Sequence, residues 1–228
     1  DDILSYGIAH VALATGARWR TDGVGRTHRR PLSFLASGPL LTPDDVMDLG
    51  TQAVTVAGPV VIFDDDRYYM GSLMAERFAG AGHEVIFVTP DAIVGSFSQN
   101  TLEQGRIQTR LIEMGVRIVP THGLAARGAD RLDLACTYSG KITQVACGTL
   151  VTVTSRLPTD GLWLALQARQ ADWADAGIRT VTRIGDCLAP GTIAAANFGG
   201  HLYARTFDSP DDPDVVPFRR EDVARLIA

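Results

Sequence analysis

Three consecutive carboxylates, Asp64-Asp65-Asp66, interrupt the chain at a point where ligand chemistry is expected. They follow an apolar run, Val60-Val61-Ile62-Phe63, and precede a helical pattern and a second apolar run, Glu84-Val85-Ile86-Phe87-Val88. A unit built to hold a dinucleotide carries G-x-G-x-x-G in that turn. The glycines let backbone amides approach a pyrophosphate, and the helix N-terminus adds partial positive charge. Here the turn reads Asp64-Asp65-Asp66-Arg67-Tyr68-Tyr69-Met70-Gly71, and its carboxylates would repel the same anion. The layout of a dinucleotide-binding unit is kept while its phosphate chemistry is contradicted, so neither NADH nor NADPH is expected here. Consecutive residues on a turn rarely converge on one metal ion, which favours a solvated acidic turn. Tyr68 and Tyr69 either fill the space of a dinucleotide or are ordinary aromatics, and the sequence leaves both open.

Two further turns could face a ligand. Ala14-Thr15-Gly16 follows the apolar strand His10-Val11-Ala12-Leu13, and Gly185-Asp186 follows the strand pattern Gly177 to Ile184. Asp186 either meets the ribose or pyrophosphate region of an ADP moiety beside a helix N-terminus or simply caps that helix. Gly16 either contacts a ligand or supplies backbone geometry. Ala14, Thr15, Gly16, Gly185 and Asp186 are therefore the candidate cofactor-binding residues. The five histidines, His10, His28, His83, His122 and His201, show no metal-ligand spacing and no nucleophile partner. Cys136, Cys147 and Cys187 lack C-x-x-C pairing and read as small buried hydrophobes in a reducing cytoplasm. No catalytic residue and no metal site are assigned.

The elements that must position these turns fall into three stretches. A strand near His10 is followed by an Arg-, Gly- and Pro-rich loop and a short helix. Thr42 caps that helix, Pro43 opens it, Asp44 and Asp45 favour its positive end, and Gly50 stops it. From about Ala53 to Pro158, Val60 to Phe63 predicts a central parallel strand. Met70, Leu73, Met74, Phe78 and Ala81 predict the packed face of a helix. Strands at Val85 to Val88 and Val116 to Val119 flank a helix around Thr101 to Met114. After Asp130 alternation takes over, with Leu132, Leu134 and Cys136 on one face, a Ser139-Gly140 turn and Ile142 to Cys147, an antiparallel meander that precedes a last strand at Leu150 to Val153. The final stretch holds a helix near Leu162 to Ala174, the strand ending at Ile184, and a helix from near Pro190 through the small residues Gly199-Gly200. The Asp- and Pro-rich tail after Phe207 reads as extended surface chain.

Composition narrows the function classes. The chain has 228 residues, 46% hydrophobic and 21% charged, ordinary for a globular protein with a real core. A net charge of -5 leaves no basic face for nucleic acid or anionic membrane. The most apolar stretch, Val54 to Phe63, is broken by Gly58-Pro59 and is shorter than the ~20 residues that span a bilayer. Asp1-Asp2-Ile3-Leu4 is no signal peptide, and the chain is expected to start within a longer polypeptide.

The strand followed by Ala14-Thr15-Gly16, the inserted unit, the strand-end turn Thr154 to Pro158 and Ile184-Gly185-Asp186 before a helix together resemble flavoproteins of the glutathione reductase type. More closely, Ala14 to Gly23, the turn ending Tyr69-Met70, Ala81-Gly82-His83-Glu84-Val85 and Ile184-Gly185-Asp186 resemble the C-terminal half of the trimethylamine, dimethylamine and histamine dehydrogenase family. The resemblance implies an α/β fold of two nested Rossmann-like domains of the FAD/NAD(P)-binding type, with parallel sheets and an antiparallel β-meander. Residues 1–52 and 159–228 would form an outer ADP/FAD-type domain, and 53–158 an inserted degenerate NAD-type domain. It implies an FMN and iron-sulfur amine dehydrogenase that N-demethylates methylated amines and passes electrons to an electron-transferring flavoprotein. In such an enzyme FMN and a 4Fe-4S cluster sit in an N-terminal β/α barrel, here absent, while ADP is structural and the whole protein is a homodimer. Two alternatives stay open: an FAD- and NAD(P)H-dependent oxidoreductase of the dienoyl-CoA reductase type, and a non-catalytic partner-docking module.

Overall fold

The run Val60 to Phe63 puts β-branched and aromatic side chains on both sides of one strand, so it is stable only where both faces are covered. The computed structural model describes residues 2–48 and 56–207. In chain order the strands are β1 (His10–Leu13), β2 (Ala17–Trp19), β3 (Leu40–Leu41), β4 (Val60–Asp64), β5 (Val85–Val88), β6 (Arg117–Val119), β7 (His122–Arg127), β8 (Arg131–Cys136), β9 (Ile142–Ala146), β10 (Thr149–Val153), β11 (Arg156–Pro158) and β12 (Thr180–Arg183). The helices are α1 (Asp2–Ser5), α2 (Pro43–Asp48), α3 (Met70–Gly80), α4 (Gln104–Glu113), α5 (Gly161–Ala168) and α6 (Ile193–Thr206). The architecture is mixed α/β with parallel and antiparallel sheets.

The described residues divide into two units: Trp19–Arg156, and the residues up to 18 together with those from 157 onward. In the first, the sheet order is β3-β10-β4-β5-β6, all parallel. Period-two alternation sorts the apolar run onto two cores. Val60 and Ile62 pack with Met74, Ala75 and Phe78 of α3 and Leu111 of α4, while Val61 and Phe63 pack with Leu124, Leu132, Leu134 and Val145 of the β7-β8-β9 meander. Helices thus cover one face of the sheet and an antiparallel sheet covers the other. Leu73, predicted on the packed face of α3, is 42% exposed, and Ala75 takes its place in the core.

The sequence places a domain boundary at 52/53, and the compact units divide at 18/19. Leu40-Leu41 pairs with Leu150-Val151 as the edge strand of the parallel sheet, and Leu35 and Val46 are buried in its two cores. The segment from 19 to 48 therefore belongs with the inserted unit. Thr42 does start α2, but its amide and hydroxyl both donate to the Asp45 carboxylate, each at 2.7 Å, so the acid satisfies the residue expected to cap. The predicted stop at Gly50 and the tail after Phe207 lie outside the described residues.

In the other unit β1 and β12 pair in parallel, from His10 with Thr180 to Leu13 with Arg183. Val11 and Leu13 pack with Leu166, Trp173, Ile178 and Cys187. The last helix begins at Ile193 rather than near Pro190, because the Thr192 hydroxyl accepts from the Ala195 amide at 3.2 Å and makes the better N-cap.

Candidate functional site

Parallel pairing of β1 with β12 makes the two strands end on the same side, so Ala14-Thr15-Gly16 and Gly185-Asp186 leave the sheet together. Ile184 extends the pairing by donating to the Leu13 carbonyl at 2.9 Å. Crevices outside the carboxyl ends of parallel strands are where open α/β sheets take ligands. The Thr15 hydroxyl donates to the Thr159 carbonyl at 2.5 Å and lies 3.1 Å from the buried Cys187 sulfur. The Thr159 amide in turn donates to the Gly16 carbonyl at 2.9 Å. Thr159 was not legible as part of this cluster, since it sits 144 residues from Thr15 in the chain.

The two glycines serve different ends. Gly16 has φ 74° and no atom within 4 Å of where a Cβ would stand, leaving its backbone open. Gly185, at φ 58°, faces α6: a Cβ there would meet the Ala196 side chain at 3.7 Å, and one on Gly199 would come 3.4 Å from the Gly185 nitrogen. The small residues of α6 thus serve close packing on the turn. Asp186 Oδ1 accepts from the Gly191 amide at 3.0 Å, ordering the loop before α6 rather than capping the helix itself. Beside this turn Arg183 is held by Asp160 at 3.3 Å and lies over the Trp163 ring at 4.1 Å.

In the other unit the acidic turn is not solvated, which corrects the expectation. Asp64 and Asp65 are fully buried. Asp65 accepts from the Thr27 amide at 2.7 Å and its hydroxyl at 2.8 Å. Asp64 Oδ1 accepts from the amides of Asp66 and Arg67, each at 3.2 Å, and burial pushes its carboxyl up to about 8. Asp66 is raised to about 6, again by burial, with Arg156 and Arg26 pulling it down and Asp65 pushing it up. Arg67 pairs with Asp91 at 3.3 Å, Tyr68 packs on Phe97 with centroids 4.3 Å apart, and Tyr69 is half exposed.

Among the described residues no group of three or more His, Cys, Asp and Glu could hold a metal ion. The three cysteines are free, with Cys147 and Cys187 buried. A cavity of about 440 Å³ between α1 and α5, lined by Ile3, Leu4, Tyr6, Leu162, Leu166 and Arg169, contains none of the candidate residues. No helix among the described residues is long and apolar enough to cross a membrane.

A family model described as "OYE-like second alpha/beta domain" matches residues 41–150. Dimethylamine dehydrogenase of Hyphomicrobium sp. (strain x) is 35% identical over 244 residues, an alignment covering 98% of this chain and 33% of that protein. The structure of histamine dehydrogenase from Rhizobium sp. 4-9 is similar with a TM-score of 0.90 at 46% identity, over 96% of this chain and 34% of its own. The structure of 6-hydroxypseudooxynicotine amine oxidase from Pseudomonas geniculata N1 gives a TM-score of 0.84 at 34% identity, over 92% of this chain and 30% of its own. The chain thus spans about a third of the length of the relatives it matches.

Proposed function

Because this chain belongs to the trimethylamine, dimethylamine and histamine dehydrogenase family, we propose that it is the nucleotide-binding and assembly portion of an amine dehydrogenase. The two units act as an outer ADP-type domain and an inserted, degenerate NAD-type domain. ADP is held outside the ends of β1 and β12 and is structural, contributing no redox chemistry. The observation that carries this reading is the parallel register of Leu13 with Arg183, which brings Ala14-Thr15-Gly16 beside Gly185-Asp186. The residues fit one side of such a ligand: the backbone at Gly16 is open, and Asp186 orders the loop leading into α6.

The amine-oxidising chemistry, oxidative N-demethylation of methylated amines, belongs to FMN and a 4Fe-4S cluster in a β/α barrel outside this sequence. Among the described residues there is no donor set that fits a cluster, so no electron-transfer step is assigned to them. The complete protein works in the cytoplasm as a homodimer and passes electrons to an electron-transferring flavoprotein. The test is an anaerobic titration of the complete gene product with methylated amines, followed in the visible spectrum. Flavin and cluster absorbance that bleaches on amine addition is the expected result, and a colourless protein would refute the reading.

A further inference from the structure

In the inserted unit, buried side chains occupy the strand end where a dinucleotide-binding unit takes its ligand. Asp64 leaves the carboxyl end of β4 fully buried and takes the amide hydrogens of Asp66 and Arg67. A glycine-rich turn at this point would offer such amides to a pyrophosphate. The carboxyl lies against the first turn of α3, where a Cβ on Gly71 would come within 2.6 Å of Asp64 Cγ. Its Oδ2 is buried with no partner, so the group fills closed space at the strand end.

The neighbouring strand repeats the pattern. Asp91 follows β5 about 20 residues beyond Gly71, where a dinucleotide-binding unit keeps a carboxylate for the ribose hydroxyls. Here it forms an ion pair with Arg67, whose Nε lies 3.3 Å away without a hydrogen bond, and it accepts from the Ser96 hydroxyl. Arg67 reaches it from φ 74°, a left-handed conformation that glycine takes readily and arginine does not.

We propose that Asp64 and the Arg67–Asp91 pair are exclusion residues: Asp64 takes the amides a pyrophosphate would need, and Arg67 takes the carboxylate a ribose would need. The proposal rests on the reading of the inserted unit as NAD-type, and it is independent of whether the complete protein oxidises amines. Exclusion is therefore by occupation, through hydrogen bonds at Asp64 and an ion pair at Asp91, with charge repulsion secondary.

The test uses the whole chain as wild type, Arg67→Gly and the double variant Asp64→Gly/Arg67→Gly, titrated calorimetrically with NADH. Wild type should bind with a Kd no tighter than about 1 mM, and the double variant should gain at least about tenfold. Micromolar binding by wild type, or a folded double variant without the gain, overturns the proposal. If the double variant does not fold, the wild-type amide resonances of Asp66 and Arg67 decide. They should shift as Asp64 titrates near its raised value of about 8 and stay unmoved by millimolar inorganic pyrophosphate. Shifts induced by pyrophosphate would overturn the proposal without bearing on the amine dehydrogenase reading.

Discussion

Asp64 and Asp65 look like surface residues in the sequence because unpaired carboxylates are rarely buried. Their burial depends on partners that the local pattern does not reveal: Thr27 lies 38 residues upstream of Asp65, and the amides serving Asp64 become available only once Arg67 turns left-handed. Folded values of about 8 for Asp64 and about 6 for Asp66 stand above the ordinary 3.8. A carboxyl that keeps its proton longer in the folded state stabilises fully below its unfolded value, and the contribution is lost as pH rises through the folded one. Stability should therefore fall from about pH 4 to about pH 8, through Asp66 first and Asp64 last. Asp64→Asn keeps an acceptor for both amides but cannot ionise. Its urea midpoints at about pH 5 and about pH 8 should lie closer together than those of wild type. A wild-type midpoint that rises across this window would contradict the assignment. Cys187, by contrast, was legible as a small buried hydrophobe, and only its contact with Thr15 needed the fold.

At the scale of elements, strong patterns were legible and short or irregular ones were not. The apolar runs of β4, β5 and β10 and the alternation of β8 and β9 define those strands without knowledge of their partners. Two-residue β3 has no period to read and exists because β10 offers it an edge. Strand β7 was missed because it carries His122, Gly123 and Arg127, and its pairing shifts register between Leu124 and Ala126. Arg127 is buried there by donating to the carbonyls of Leu35 and Pro39, at 2.8 and 2.6 Å. The two-sided burial of β4 makes Phe63→Ala a cavity mutation costing about 3–5 kcal/mol, whereas Leu73→Ala on the exposed side of α3 should stay within about 0.5 kcal/mol. Denaturant midpoints of the two variants check this, and equal losses would mean that α3 packs with a different face. Removing the cap with Thr192→Ala should cost α6 about 1 kcal/mol, read as earlier loss of helical ellipticity on heating.

At the scale of the whole molecule, the order of strand-end turns was the signal for an inserted unit, and the chain divides into one compact unit interrupted in sequence by another. The division at 18/19 has no such signal, because residues 19–48 hold only loops, the end of β2, a 3-10 turn at Ser33–Ser37, a two-residue strand and a short helix. The sequence offered the candidate site as two separate turns, and their adjacency followed only from the parallel register of β1 with β12. The central claim is that adenine nucleotide binds outside β1 and β12 and not at the turn following β4. Gly16→Asn tests it most directly, since asparagine tolerates φ 74° while placing a side chain in the open space above that backbone. Melting temperatures of the complete gene product should be measured with and without ADP for wild type, Gly16→Asn and Tyr68→Ala. The expected result is an ADP-dependent rise in wild type and Tyr68→Ala that is largely lost in Gly16→Asn. An undiminished rise in Gly16→Asn together with its loss in Tyr68→Ala would contradict the claim and place the nucleotide in the inserted unit.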